Sequence, residues 1–521
     1  MYATKVIRNA SVIPMTGPTE RAQAIAIAGD QILCVGSNAD MDAHTGPQTK
    51  VIDAQGRTLL PGFIDSHVHF TQTGLGSIGP NVYDVTCLQD ILDLISGLVG
   101  NASPGDPLLI HGCTFADLDH QLDACKLDEL APANPLMILD IGAHGCAVNS
   151  KALPYLGIPS ESVAAGILTG KANTLARYTY YQYAISDDDR LNALRCAAAM
   201  AVKKGITTVH ALDGGSPDGR GWLPERDVEV MLREQHQLDV RTVIYFQSTL
   251  EQKALEFGLP RIGGCLWVDG SYGEYTAALL EPYHDKPDCC GSLYFSDEEL
   301  QDFVGRAHRA GLQISMHAIG DAAIEQLINA YEIALKEEPR ADHRHRIEHF
   351  SLPTESQIER VAELGITLGM QPNFATMPNE PANGELVGLA SVLGEARYNR
   401  RHPYRQIIDR GILVAGGSDS EPRPMGPLFG IECLANHPEK ARRLSAYEAL
   451  QLYTVNGARI AFEESTKGTL EPEKLADMVL LSADPTMVEP GKIDQIQIEL
   501  TIVGGRERFA SPAFQQASSQ L

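Results

Sequence analysis

The chain has 521 residues, of which 44% are hydrophobic and 21% charged, proportions of a globular protein long enough for two to four domains. A net charge of −25 argues against a nucleic-acid partner, because no local basic run could offset that field. No apolar stretch reaches the ~18 residues a membrane helix needs, so no membrane partner is expected.

The opening residues, 1–7, lack a signal-peptide core, and the 10 cysteines are scattered without a zinc-ribbon or disulfide framework. A reducing, cytoplasmic location is the expectation. The basic run from Arg397 to Arg405 reads as a solvated face.

In chain order, residues 5–13, 24–28, 31–35 and 50–53 read as short strands, with Gly29-Asp30 as a hairpin turn. Residues 476–481 and 496–503 read the same way. Neither end has enough strands for its own core, so 1–60 and 466–521 are expected to pair into one small β-sandwich.

The stretch Pro61-Gly62-Phe63-Ile64-Asp65-Ser66-His67-Val68-His69-Phe70 is a strand in which His67 and His69 share a face. Two imidazoles so placed can chelate one ion. Further apolar strands are predicted at 205–212, 240–246, 264–269, 312–317, 344–349, 366–371 and 412–419, separated by helices with capping signals at Ser296…Glu299, Thr354…Gln357 and Ser445…Glu448. Eight such units over 61–465 predict an α/β fold, a (β/α)8 barrel of the TIM type with function at the C-terminal strand ends. Residues 71–204 are too long for a loop and are read as an α/β insertion covering the barrel mouth, with a strand at 135–140.

Three later strand ends carry candidate ligands: His317, His349 and Asp419. Singly, each histidine fits a hydrogen-bonded core position. Together with His67 and His69 they form a mixed N/O set suited to zinc or a similar divalent ion.

With these residues in place, the chain resembles the amidohydrolase superfamily, on the branch of the N-substituted formamide deformylases. The matching motifs are Leu60 to His69, Gly205-Ile206-Thr207-Thr208-Val209, Asp269-Gly270-Ser271 with Thr276-Ala277-Ala278, His317 to Asp321, Arg346-Ile347-Glu348-His349, Gln371-Pro372, Gly417-Ser418-Asp419 and Ala476 to Leu480. The resemblance implies that His67, His69 and Asp419 bind a first metal. It implies that His317 and His349 bind a second, or orient substrate and water around one. Asp419 would also be the general base, taking a proton from a water whose pKa the ion lowers. His144 and Asn149 match a motif that faces the site, where a substrate-polarising role for His144 stands beside a structural one. Tyr275 and Gln371 are the remaining substrate-side candidates.

One position departs from the pattern. Cys265 stands where the branch usually has a lysine that bridges two metals once carboxylated. A thiolate can ligate zinc, but cysteine is several bonds shorter, and that reach argument favours one ion over two. Tyr275 likewise replaces a usual arginine. The resulting expectation is a metal-dependent hydrolase of an N-acyl or N-formyl C–N bond acting on a small molecule. A mononuclear deaminase of a heterocyclic amine and a metal-free binding protein are the rivals. Homo-oligomerisation stays open.

Overall fold

The computed structural model describes residues 2–83, 85–115, 118, 120, 122, 124–141, 145–158, 167–215, 224–375, 388–421 and 423–518. Its framework is eight parallel strands: β1 (Phe63–Val68), β2 (Ile206–Ala211), β3 (Arg241–Ile244), β4 (Arg261–Trp267), β5 (Gln313–Ala318), β6 (Arg346–His349), β7 (Thr367–Met370) and β8 (Val414–Gly416). They lie in two sheets, β3-β2-β1 and β4-β5-β6-β7-β8, in chain order. Parallel bridges Phe246–Ile262 and Val68–Ser420 join the facing edges of these sheets just beyond the strand ends. Nearly every residue of these strands is buried, as a parallel sheet flanked by helices requires, and their outer faces feed one apolar core.

The strand positions agree with the sequence expectation to within a few residues at each end. So do the helix starts: Ser296, Thr354 and Ser445 each close a reciprocal capping box with Glu299, Gln357 and Glu448. A fourth box, Ser186 with Asp189, was not anticipated, because its N3 residue is Asp rather than Glu or Gln. Gly417 is required where β8 meets β1: a Cβ there would lie 2.7 Å from the backbone nitrogen of His67.

Two of the three remaining sheets are built from the chain ends. One is built from Lys5–Arg8, Ala24–Ala28, Gln31–Gly36 and Lys50–Asp53, with Gly29 at φ 64 in the expected hairpin. In the other, Thr58–Pro61 pairs antiparallel with Met478–Leu481. Ile25, Ile27, Leu480 and Leu500 meet in one apolar cluster between them. Thr58–Pro61 escaped the sequence reading because its apolar run merges with that of β1.

Between β1 and β2 the segment Leu108–Cys113, Leu136–Asp140, Gly145–Val148 and Ile167–Thr169 forms its own sheet. The helix Asp187–Lys203, at the end of the anticipated insertion, instead buries Leu194, Ala197, Ala198 and Ala201 in the main core. The separate part is therefore narrower than 71–204.

At the N-terminal end of β5 and β6, His308, His343 and His345 form a buried cluster. His345 Nδ1 accepts from the backbone of Ile314 at 3.0 Å, and its Nε2 lies 2.9 Å from His308 Nδ1. Burial pushes His343 down and His345 well down from the ordinary value of 6.5. A folded-state pKa below the unfolded one means the neutral rings stabilise the fold fully above about 6.5, and that share is lost as pH falls. Denaturant midpoints of chelator-treated protein should therefore drop between pH 7.5 and 5. An unchanged midpoint would contradict this.

Candidate metal centre

The ligand candidates converge at the C-terminal ends of the strands. His67 lies in β1 and His69 just beyond it, and period-two alternation points both Nε2 atoms inward, 3.2 and 3.4 Å from Asp419 Oδ1. Asp419 follows β8, and its backbone N–H donates to the His67 carbonyl at 2.9 Å, which fixes it beside β1. Cys265 Sγ, from β4, is 3.8 Å from His317 Nδ1 and 3.7 Å from His349 Nε2. The potential donor atoms fall into two buried triads, His67–His69–Asp419 and His67–Cys265–His349, which share His67. Short as it is, the Cys265 side chain lies among the candidate imidazole donors.

Each imidazole is oriented by a partner on its far nitrogen. His67 Nδ1 donates to Glu348 Oε2 at 2.7 Å, and His69 Nδ1 to the Leu212 carbonyl at 3.0 Å. His317 Nε2 donates to the Gly270 carbonyl at 3.2 Å, and His349 Nδ1 to Gln371 Oε1 at 2.7 Å. Such partners fix the tautomer and leave the other nitrogen's lone pair facing inward. Glu348 is held in turn by Arg346, whose Nε is 2.7 Å from Oε1, and by the Ser315 hydroxyl. Arg346 also donates to the Ser66 carbonyl at 3.0 Å and stacks 4.4 Å over the Tyr245 ring. Sequence reasoning missed Arg346 and Glu348 as site residues. Their signal was two charges at i and i+2 inside an otherwise apolar strand.

The donor set fits a divalent cation. His67 Nε2 is buried 3.2 Å from Asp419 Oδ1 without a well-formed hydrogen bond, and a cation shared between the two atoms would satisfy both. Burial holds His317 down at about 4 and His349 well below its ordinary value, so both rings are neutral and able to ligate near pH 7. Burial raises Asp419, but the facing His67 and His69 outweigh it and hold the carboxyl well below the usual range. Burial pushes the Cys265 thiol up to about 11, so a thiolate there needs a cation beside it. His349 at φ 70 and Asp419 at φ 59 sit in the left-handed region, which His and Asp tolerate better than most side chains and which aims both inward.

A cavity of about 360 Å³ opens over these atoms, walled by Trp267, Tyr272, Phe374 and Leu389 with Arg401 and His402. The anticipated substrate-side residues fare differently. Asn149 is buried elsewhere: its amide accepts from the backbone of Leu136 and Ala152 and donates to the carbonyls of Ala131 and Asn134, which spends it on a turn. Tyr275, at φ 56, turns away to donate to Asp285 at 2.7 Å, and Tyr272 takes the cavity wall instead. Gln371 orients His349 and donates to the Gly369 carbonyl at 3.3 Å, so it faces the protein rather than the cavity. His144 lies outside the described residues.

Comparison with known proteins adds the family. A model of the amidohydrolase family matches residues 50–509. The putative amidohydrolase YtcJ of Bacillus subtilis (strain 168) is 28% identical over 94% of this chain and 96% of its own. The N-substituted formamide deformylase of Arthrobacter pascens is 26% identical, over 97% of this chain and 98% of its own. Among solved structures, an uncharacterised metal-dependent hydrolase from Pyrococcus furiosus superimposes with a TM-score of 0.74 at 24% identity, covering 92% of this chain and 99% of that one. That likeness speaks to fold alone. Among the described residues no helix is long and apolar enough to cross a membrane. The inward-facing His, Cys and Asp donors and a family match over most of the chain lead to one conclusion: the protein belongs to the amidohydrolase family, metal-dependent hydrolases of carbon–nitrogen bonds.

Proposed function

We propose that this enzyme hydrolyses the amide bond of a small N-acyl or N-formyl compound at a zinc centre, at the mouth of a closed (β/α)8 barrel formed by β1 to β8. The observation that carries the reading is the pair of triads sharing His67, opening on an apolar-walled cavity. His67, His69 and Asp419 would hold one ion, and Cys265, His317 and His349 a second. The mixed N/O/S set suits zinc. Zinc held there would lower the pKa of a water toward about 7 and polarise the scissile carbonyl. Asp419, already ionised and 3.2 Å from His67 Nε2, takes the proton from the attacking water and delivers it to the leaving nitrogen, so that acid and amine depart. Gln371 and Glu348 act as positioning residues, holding His349 and His67.

The test is a screen of N-formyl and N-acyl amines against zinc-loaded enzyme, with heterocyclic amines alongside. Release of carboxylic acid and amine is expected. Ammonia from a heterocycle, with amides untouched, would replace this reading with the deaminase.

The second position rests on Cys265. Cys265→Ser should lower tightly held zinc from about two ions per chain to about one and depress turnover, because a hydroxyl is a poor soft ligand. Metal stoichiometry after dialysis against metal-free buffer decides it. If both proteins hold the same single ion, Cys265 is a packed core thiol.

A further inference from the structure

The basic run Arg397–Arg405 is not a solvated face. Arg397 donates to the carbonyls of Leu393, Glu281 and Pro282 at 2.7, 2.9 and 2.7 Å. Arg400 pairs with Asp321 at 2.7 Å, and Arg405 with Glu448 at 2.8 Å. Arg401 is different. It is only 5% exposed, lines the cavity above the metal donors, and has no carboxylate within 4 Å among the described residues. Its Nε donates to the Tyr398 carbonyl at 3.3 Å and its guanidinium plane stacks 4.2 Å from the Tyr398 ring centroid. The Tyr398 side chain also accepts from the guanidinium, which fixes the fork in the cavity wall with no carboxylate against it among the described residues.

A buried cation without a counter-ion is costly to maintain, in a chain with ample acidic residues to supply one. The adjacent His402, 6% exposed, also lines the cavity and has a buried Nδ1 without a partner. An unsatisfied buried nitrogen of His402 thus lies beside the Arg401 cation in a cavity otherwise lined by aromatic and aliphatic residues such as Trp267, Tyr272 and Leu389. Asp140 and Glu274 also line the cavity, so a second anionic group on a ligand would meet repulsion.

We propose that Arg401 is the anion anchor of this cavity and that the substrate is an N-acyl or N-formyl amino acid, or a similar monoanion with one free carboxylate beside an apolar group. This rests on the amide-hydrolase reading for the bond cleaved. The carboxylate would take the bidentate geometry that a planar guanidinium favours and a neutral amide cannot reproduce.

The test uses N-formyl derivatives of phenylalanine, leucine and methionine, each as the free acid and as the carboxamide, with zinc-loaded enzyme. Formate release should give a kcat/KM for the acids at least roughly tenfold above the amides. Arg401→Met should bring that ratio close to one. Binding is read separately by calorimetry in zinc-loaded Asp419→Asn, which holds ligand with little turnover, and the acids should again bind roughly tenfold tighter. If no pair is hydrolysed yet the acids bind preferentially and Arg401→Met abolishes the preference, the amide reading fails and the anchor stands. Equal binding of acid and amide by the unsubstituted cavity overturns the anchor, and this comparison does not depend on the folding of an Arg401 variant.

Discussion

His67→Ala is expected to strip the dialysed protein of the ion held with His69 and Asp419 and to lower turnover by roughly 10³-fold or more, since a divalent ion supplies several kcal/mol of transition-state stabilisation. The size of the effect follows from geometry. His67 offers one inward nitrogen, Nε2, because Nδ1 is held by Glu348, and that nitrogen stands in both candidate triads, so whichever of them the ion occupies loses a ligand. Removing an outer ligand such as His69 would deplete only one. The fold should survive, because Glu348 keeps its ion pair with Arg346 at 2.7 Å and its bond from Ser315 after the imidazole is gone. Elemental analysis of wild type and variant checks it, with circular dichroism as the folding control. Full metal content in the variant would make the histidine pair structural.

Asp419→Asn separates proton transfer from metal holding. The side chain keeps its shape, and Asn tolerates the φ of 59 at this position about as well as Asp. The ability to accept a proton is removed, together with the negative charge on one donor of the first triad. Turnover should fall by roughly 10²-fold or more, the range in which general bases contribute, while some metal stays bound through the histidines. Steady-state rates at neutral pH, with metal content measured on the same samples, provide the check. Near-normal turnover would assign the proton to another group.

Much of this arrangement was legible in the chain, and the reasons are local ones. Buried parallel strands are short apolar runs, capping boxes are three-residue signals, and a ligand at a strand end needs only its own strand to be found. Hence β1 to β8 and the helix starts Ser296, Thr354 and Ser445 could be located from sequence, and the candidate donors His67, His69, His317, His349 and Asp419 could be placed at or near strand ends. What escaped depends on partners distant in the chain. Glu348 meets His67 281 positions away, and nothing local announces that contact. Asn149 carries the right residue type, yet the backbone of a nearby turn takes all its hydrogen-bonding capacity. How near Cys265 comes to His317 and His349 depends on the approach of β4 to β5 and β6, which side-chain length does not give. The run Arg397–Arg405 looked uniform in sequence, and only the placement of Asp321 and Glu448 showed that Arg400 and Arg405 have a carboxylate while Arg401, in the cavity wall, has none among the described residues.

The account's central claim, hydrolysis that depends on ions held by these donors, is met most directly by zinc titration of chelator-treated protein during hydrolysis of an N-formyl amine. Activity should be absent at the start, rise with added zinc, and level off near two equivalents per chain. Full turnover before any metal is added, or none after saturation with zinc when the same compound is shown to bind, would contradict it.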